Sequence, residues 1–159
     1  MRYIGIDPGL SGGLALINDN GDALTERMPK TERDAIDLLA KWFWSGGTFA
    51  VIEHVWSVPG QGGGFAFGQN VGTLRTALTA ARIPFDAVIP RRWQAALGIA
   101  YATGATDTEK KNITKRRAQQ LFPALTVTHA IADALLIAEY CRRSRRGLLS
   151  EVGRKRRSQ

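Results

Sequence analysis

At 159 residues the chain has the length of one domain, enough to bury roughly 70% of its unfolded surface. Its 44% hydrophobic and 23% charged residues are those of an ordinary globular protein, and no apolar run approaches the ~20 residues that span a bilayer. The lone Cys141 excludes an internal disulfide, and the net charge of +8 points toward a polyanionic partner rather than a membrane.

That charge is unevenly spread. Residues 142–159 hold eight basic side chains against the single acid Glu151, and residues 82–117 hold eight against Asp86, Asp107 and Glu109. The rest of the chain is net acidic. Two basic blocks are the footprint of nucleic-acid binding, although a solubility tail and a solvated helix face would leave the same trace. No basic-then-apolar leader precedes the first strand, so the expected location is cytoplasmic, and Cys141 then reads as a core residue in a reducing compartment.

Residues 2–7 read as a buried strand and residues 14–17 as a second. Asn20-Gly21-Asp22 is a hairpin turn that leads into a third strand over 23–28, which Pro29 ends. A helix follows over 31–44, with Ile36, Leu39, Ala40 and Phe43 on one face and Asp34 and Asp37 solvated. Ser45-Gly46-Gly47 stops it before a fourth strand over 48–53. Beyond the glycine-rich stretch 59–64, residues 65–81 form a helix whose core stripe is Phe67, Val71, Leu74, Leu78 and Ala81. Gly64, Gly68 and Gly72 recur along that helix, and each interior glycine costs about 1 kcal/mol against alanine. Close approach of another backbone would offset this, either the domain's own sheet or a second copy of the helix.

A fifth strand covers 85–89, and Pro90 opens a short helix carrying Arg91, Arg92 and Trp93. Thr106 and Glu109 make a capping box for a basic helix that ends at Leu121 before Pro123. The last helix spans 128–143, and 144–159 reads as a flexible basic tail after a single domain over 1–143. The order predicts an α/β fold with a mixed five-stranded sheet flanked by helices.

Three acids interrupt apolar elements: Asp7 ends the first strand, Glu53 ends the fourth, and Asp133 lies within Ala130-Ile131-Ala132-Asp133-Ala134-Leu135-Leu136. Burying an unpaired carboxylate costs several kcal/mol, so three such positions suggest one shared divalent cation, Mg²⁺ or Mn²⁺. Gly5, on the same strand face as Asp7, leaves space beside that carboxylate. Taken singly, Asp7 also fits a capped turn, Glu53 a strand-end acid and Asp133 half of a buried ion pair.

Ile4-Gly5-Ile6-Asp7-Pro8-Gly9, Val51-Ile52-Glu53-His54-Val55 and Ala132-Asp133-Ala134-Leu135-Leu136-Ile137-Ala138 together resemble the RuvC-type Holliday junction resolvases, and phage and organellar members more than the cellular bacterial enzyme. Phe65-Ala66-Phe67-Gly68, Ile83-Pro84 and Ala118-Gln119-Gln120-Leu121-Phe122-Pro123 extend the similarity over about residues 2–143. The resemblance implies a ribonuclease H-like fold, a homodimer and Mg²⁺-dependent paired nicking of branched DNA. It also implies four metal ligands, the fourth an acid three or four residues before Asp133. Those positions hold Ala130 and His129. His129 is the candidate ligand beside Asp7, Glu53 and Asp133, the alternative being that Ala130 marks a missing acid in a weak or silent junction-binding protein. His54 reads as structural.

A DNA substrate makes Arg91, Arg92, Lys110, Lys111, Lys115, Arg116 and Arg117 the expected phosphate contacts, with Lys111 and Lys115 the best pair. The resemblance implies that Trp56 stacks on a base opened at the junction centre, with Phe65 and Phe67 as secondary candidates. Asp7-Pro8-Gly9-Leu10-Ser11-Gly12 also resembles the first phosphate motif of actin-like ATPases, but their two-lobed cleft needs about twice this length.

Overall fold

A computed structural model describes residues 1–54 and 64–149. Strands β1 (Arg2–Asp7), β2 (Gly13–Asn18) and β3 (Ala23–Arg27) form an antiparallel meander, and β4 (Thr48–Glu53) and β5 (Phe85–Val88) add in parallel on the other side of β1. The five make one mixed sheet in the order β3-β2-β1-β4-β5. The hairpin closes as its sequence dictates: Gly21 takes φ +94°, and the Asn18 and Asp22 side chains bond across the turn.

Alternation along the strands sorts two cores. Ile4, Ile6, Ala50 and Ile52 face helices α1 (Glu32–Trp42) and α2 (Gly64–Ala80). Tyr3, Phe49 and Val51 face α3 (Pro90–Ala96), α4 (Asp107–Leu121) and α5 (His129–Arg145). Helix α5 is the central one. Every residue from Ala134 to Cys141 is buried, Leu135, Leu136 and Ile137 completely, and each such side chain stabilises the fold by about 1.5–3 kcal/mol. Cys141 sits in this core, with its thiol directed at the Phe49 carbonyl.

Several boundaries and faces differ from expectation. Helix α1 ends at Trp42 because Phe43 turns extended, and it buries Ala35, Leu39 and Trp42 while Ala40 and Phe43 stay exposed. The wide Trp42 indole claims the core stripe, displacing Phe43 by one position. In α2 only Leu74, Ala77 and Leu78 are buried, and Phe67 and Val71 are half-buried on a first half that stands off the sheet. A Cβ added at Gly64, Gly68 or Gly72 would meet nothing within 4 Å, so the domain's own sheet is not what approaches that row.

The capping box on α4 forms in full, with Thr106 and Glu109 satisfying each other's backbone N–H groups. Helix α5 continues past residue 143 to Arg145, whose guanidinium lies 4.1 Å over the Phe49 ring, while Arg146 donates to the Asp19 carbonyl. Residues 150–159 of the expected tail lie outside the described residues. Among the described residues no helix is long and apolar enough to cross a membrane.

Candidate active site

Sheet register brings the first two acids together. Tyr3, Gly5 and Asp7 project from one face of β1, and Phe49, Val51 and Glu53 from the same face of β4. Ile6 lies opposite Ile52, so Asp7 and Glu53, one residue further along each, end adjacent strands about 4.8 Å apart. Helix α5 supplies the third. It crosses β1 so closely that a methyl group at Gly5 would overlap the Ala134 and Ala138 backbone, which seats Asp133 against the strand ends. The role expected for Gly5 is corrected accordingly: it makes room for a helix backbone, not for the Asp7 carboxylate.

The side chains are held individually. The Gly9 N–H donates to Asp7 Oδ1 at 3.0 Å, and a Cβ at Gly12 would lie 2.5 Å from Asp7 Oδ2, so the loop after β1 closes around this carboxylate. Trp93, fully buried on α3, donates its indole N–H to Glu53 Oε1 at 2.8 Å. The loop and the indole fix two carboxylates before any ligand arrives.

Burial and the Asp7 charge dominate their electrostatics. Burial first, then repulsion from Asp7 and Asp133, pushes the Glu53 carboxyl up to about 7, against the Trp93 hydrogen bond. Burial and the Asp7 charge push Asp133 up to about 7, with Lys111 opposing. Asp7 is raised by burial, against its Gly9 hydrogen bond and the same Lys111. Among the described residues none of the three forms a salt bridge. Asp133 is therefore not half of a buried ion pair, whereas the Gly9 N–H bond to Asp7 is the capped turn that its sequence also allowed.

Hard carboxylate oxygens with uncompensated charge suit Mg²⁺ or Mn²⁺. Among the described residues no group of three or more His, Cys, Asp and Glu side chains stands ready to hold a metal ion.

The remaining predicted residues are distributed as follows. His129 is exposed in the first turn of α5, its Nε2 3.0 Å from Asn112 Oδ1 on α4, and Ala130 follows it with its carbonyl near Gly13. The His54 N–H donates to the Val88 carbonyl. Lys111 reaches the acids electrostatically, whereas Lys115 and Arg116 line an outer cleft with Asn112, Gln119 and Gln120. Lys110 is paired with Asp107 and Arg117 donates to the Leu97 carbonyl. Arg91 and Arg92 are exposed on α3, Phe65 is 85% exposed, and Trp56 lies outside the described residues.

Sequence reading missed three contributors: the Trp93 indole, the Gly12 contact, and Tyr101, whose hydroxyl bonds Thr114 Oγ1 at 3.1 Å and senses the Asp133 and Glu53 charges. Trp93 carried one signal, a tryptophan just after two arginines at a helix start. Tyr101 lies in a loop with no periodicity and carried none.

No protein-family model and no curated protein matches the sequence. Among solved structures the chain is similar to Thermus thermophilus RuvC, at TM-score 0.59 and 17% identity over 93% of this chain and 98% of that one. It is also similar to T. thermophilus RuvC in complex with Holliday junction substrate, at TM-score 0.63 and 18% identity with the same coverage. The fold is the ribonuclease H-like fold that RuvC has.

Proposed function

We propose that this chain is a metal-dependent endonuclease acting on four-way or otherwise branched DNA, related to the phage and organellar branch of RuvC-type resolvases. The carrying observation is that Asp7, Glu53 and Asp133 approach one another from three separate elements without a salt bridge among the described residues, the Asp7 charge raising Glu53 and Asp133 and the Asp133 charge raising Glu53. The shared fold with a Thermus protein solved with a Holliday junction, and the basic blocks of this chain, support DNA as the substrate.

Asp7, Glu53 and Asp133 would hold Mg²⁺ or Mn²⁺. An ion held by these carboxylates would supply an activated water and stabilise the leaving 3′-oxygen. The chain's own groups do the positioning: the Gly9 N–H and the Gly12 backbone fix Asp7, and the Trp93 indole orients Glu53. Lys111, at the edge of the acids, draws in a phosphate that the carboxylates alone would repel. His129 would join the ligand set only by giving up its hydrogen bond to Asn112. Paired nicks need two such sites, and the open row of Gly64, Gly68 and Gly72 on α2 supports a homodimer through that helix.

The second reading, a junction-binding protein without nuclease activity, is favoured by Ala130 standing where an acid is expected and by the lack of a ready-made ligand group among the described residues. A synthetic four-way junction and a linear duplex of matching sequence, incubated with Mg²⁺, Mn²⁺ or EDTA, separate the two. Metal-dependent nicks in the junction alone, abolished by Asp7→Asn with binding retained, are the expected outcome. Binding without nicks, restored by Ala130→Asp, would transfer the conclusion to the silent binder. Absence of any preference for the junction would overturn both.

A further inference from the structure

On the face of the sheet that carries the acids, along β4 and β5, lies a recess of about 350 Å³. Phe49 and Val51 floor it, Asp86 on β5 and Arg92 on α3 flank it, and Ser144 and Arg145 at the end of α5 close it. Its two guanidinium groups differ from the other arginines near this end of α5. Arg142 and Arg143 are both bound to the buried Glu139, and Arg146 donates to the Asp19 carbonyl. Arg145 instead places its guanidinium carbon 4.1 Å from the Phe49 ring centroid, and among the described residues its side chain makes no hydrogen bond or ion pair. Among the described residues the Arg92 side chain makes no hydrogen bond or ion pair, and Asp86 is not within ion-pair distance of either arginine. A concave site with two planar donor forks lacking acceptors is built for a bidentate oxyanion.

We propose that the Arg92–Arg145 recess is a phosphate site that grips a phosphodiester of bound DNA at a fixed distance from the acid cluster. The proposal rests on the reading of DNA as substrate. The recess runs along β4 and β5 from Phe49 to Val88, and Val88 lies opposite Glu53, so the site adjoins the acids. The gripped phosphate therefore lies within a few nucleotides of the nick. Asp86 opposes the anion, which limits affinity and lets the DNA leave.

A phosphate could also come from a free nucleotide, so the test has separate arms. Junction affinity is measured across a salt series for the full chain, for Arg92→Ala/Arg145→Ala and for Asp86→Asn. The double variant is expected to bind about tenfold more weakly at ~0.1 M salt, with a log–log salt slope shallower by about one. Asp86→Asn is expected to bind a few-fold more tightly, a gain that a misfolded variant cannot produce. In a third arm, neutral methylphosphonate linkages are walked along one strand. They should weaken the unmodified chain at one or two positions within a few nucleotides of the nick, and leave the double variant indifferent there.

Unchanged affinity and slope in the double variant, together with no gain from Asp86→Asn, would overturn the proposal. So would a nucleoside monophosphate that moves recess resonances of the ¹⁵N-labelled chain while binding more tightly than DNA. If the unmodified chain binds no junction, the nuclease reading fails on its own, and titration of the recess with inorganic phosphate still decides whether the two arginines hold an oxyanion.

Discussion

Asp133 pulls stability and chemistry in opposite directions. Its carboxyl sits beside Asp7 with only Lys111 to oppose their repulsion, so ionisation at neutral pH destabilises the folded state. Removing the charge should therefore help the fold while removing a ligand. Asp133→Asn is expected to raise the thermal midpoint by a few degrees, on the order of 1 kcal/mol. The same substitution should lower junction cleavage on the order of a hundredfold or more. Melting curves and nicking rates on one protein preparation check both. A variant that loses stability and activity together would show Asp133 to be structural. Asp7, Glu53 and Asp133 were each legible as out of place in apolar runs, because an acid there has no solvation to rely on. Trp93 was not, since a buried tryptophan reads as core until its N–H is found to end on Glu53.

Among elements, the contact between α5 and β1 determines whether a site exists. At Gly5 the helix backbone occupies the space a side chain would need, so Gly5→Ala must displace α5 or fail to fold. A loss of about 3 kcal/mol or more is expected, with weaker cation binding because Asp133 moves off the strand ends. Urea unfolding and Mn²⁺ titration measure the two effects. A neutral Gly5→Ala would disprove the close crossing. Helix α2 is the contrast: its glycines follow the same small-residue pattern as a packed crossing, yet they face open space. Spacing alone does not separate the two cases, because a glycine records that something must come close without recording what.

For the whole molecule, the acids set a pH dependence unlike that of most small domains. Glu53 and Asp133 hold protons to about 7 when folded, against 4.5 and 3.8 for the free groups. Between those limits the folded state binds more protons than the unfolded one, so stability falls as pH rises from about 4 to about 7. Glu139 acts oppositely. Burial would raise it, but Arg142 and Arg143 outweigh burial and depress it, so its contribution is lost as pH falls through its lowered value. In EDTA the thermal midpoint should be highest near pH 5 and drop on the order of 5 °C by pH 8. Mg²⁺ at pH 8 should recover part of that drop, because an ion bound only by the folded state stabilises it by mass action. A midpoint that is flat across this range, or insensitive to the ion, would contradict the clustered-acid description.

The chain's sequence by itself determined the elements, their order, and the identity of the acids. Periodicity, capping and turn chemistry act over a few residues, and an unpaired carboxylate in an apolar run is anomalous in any fold. Tertiary structure alone decided which groups meet. The parallel register of β1 with β4 sets Asp7 beside Glu53, and the crossing at Gly5 delivers Asp133. Lys111 comes to face those acids, and Arg145 to lie over Phe49, only after α4 and α5 have packed. Such contacts join residues far apart in the chain, and no local pattern encodes distances between elements that only the packed core fixes.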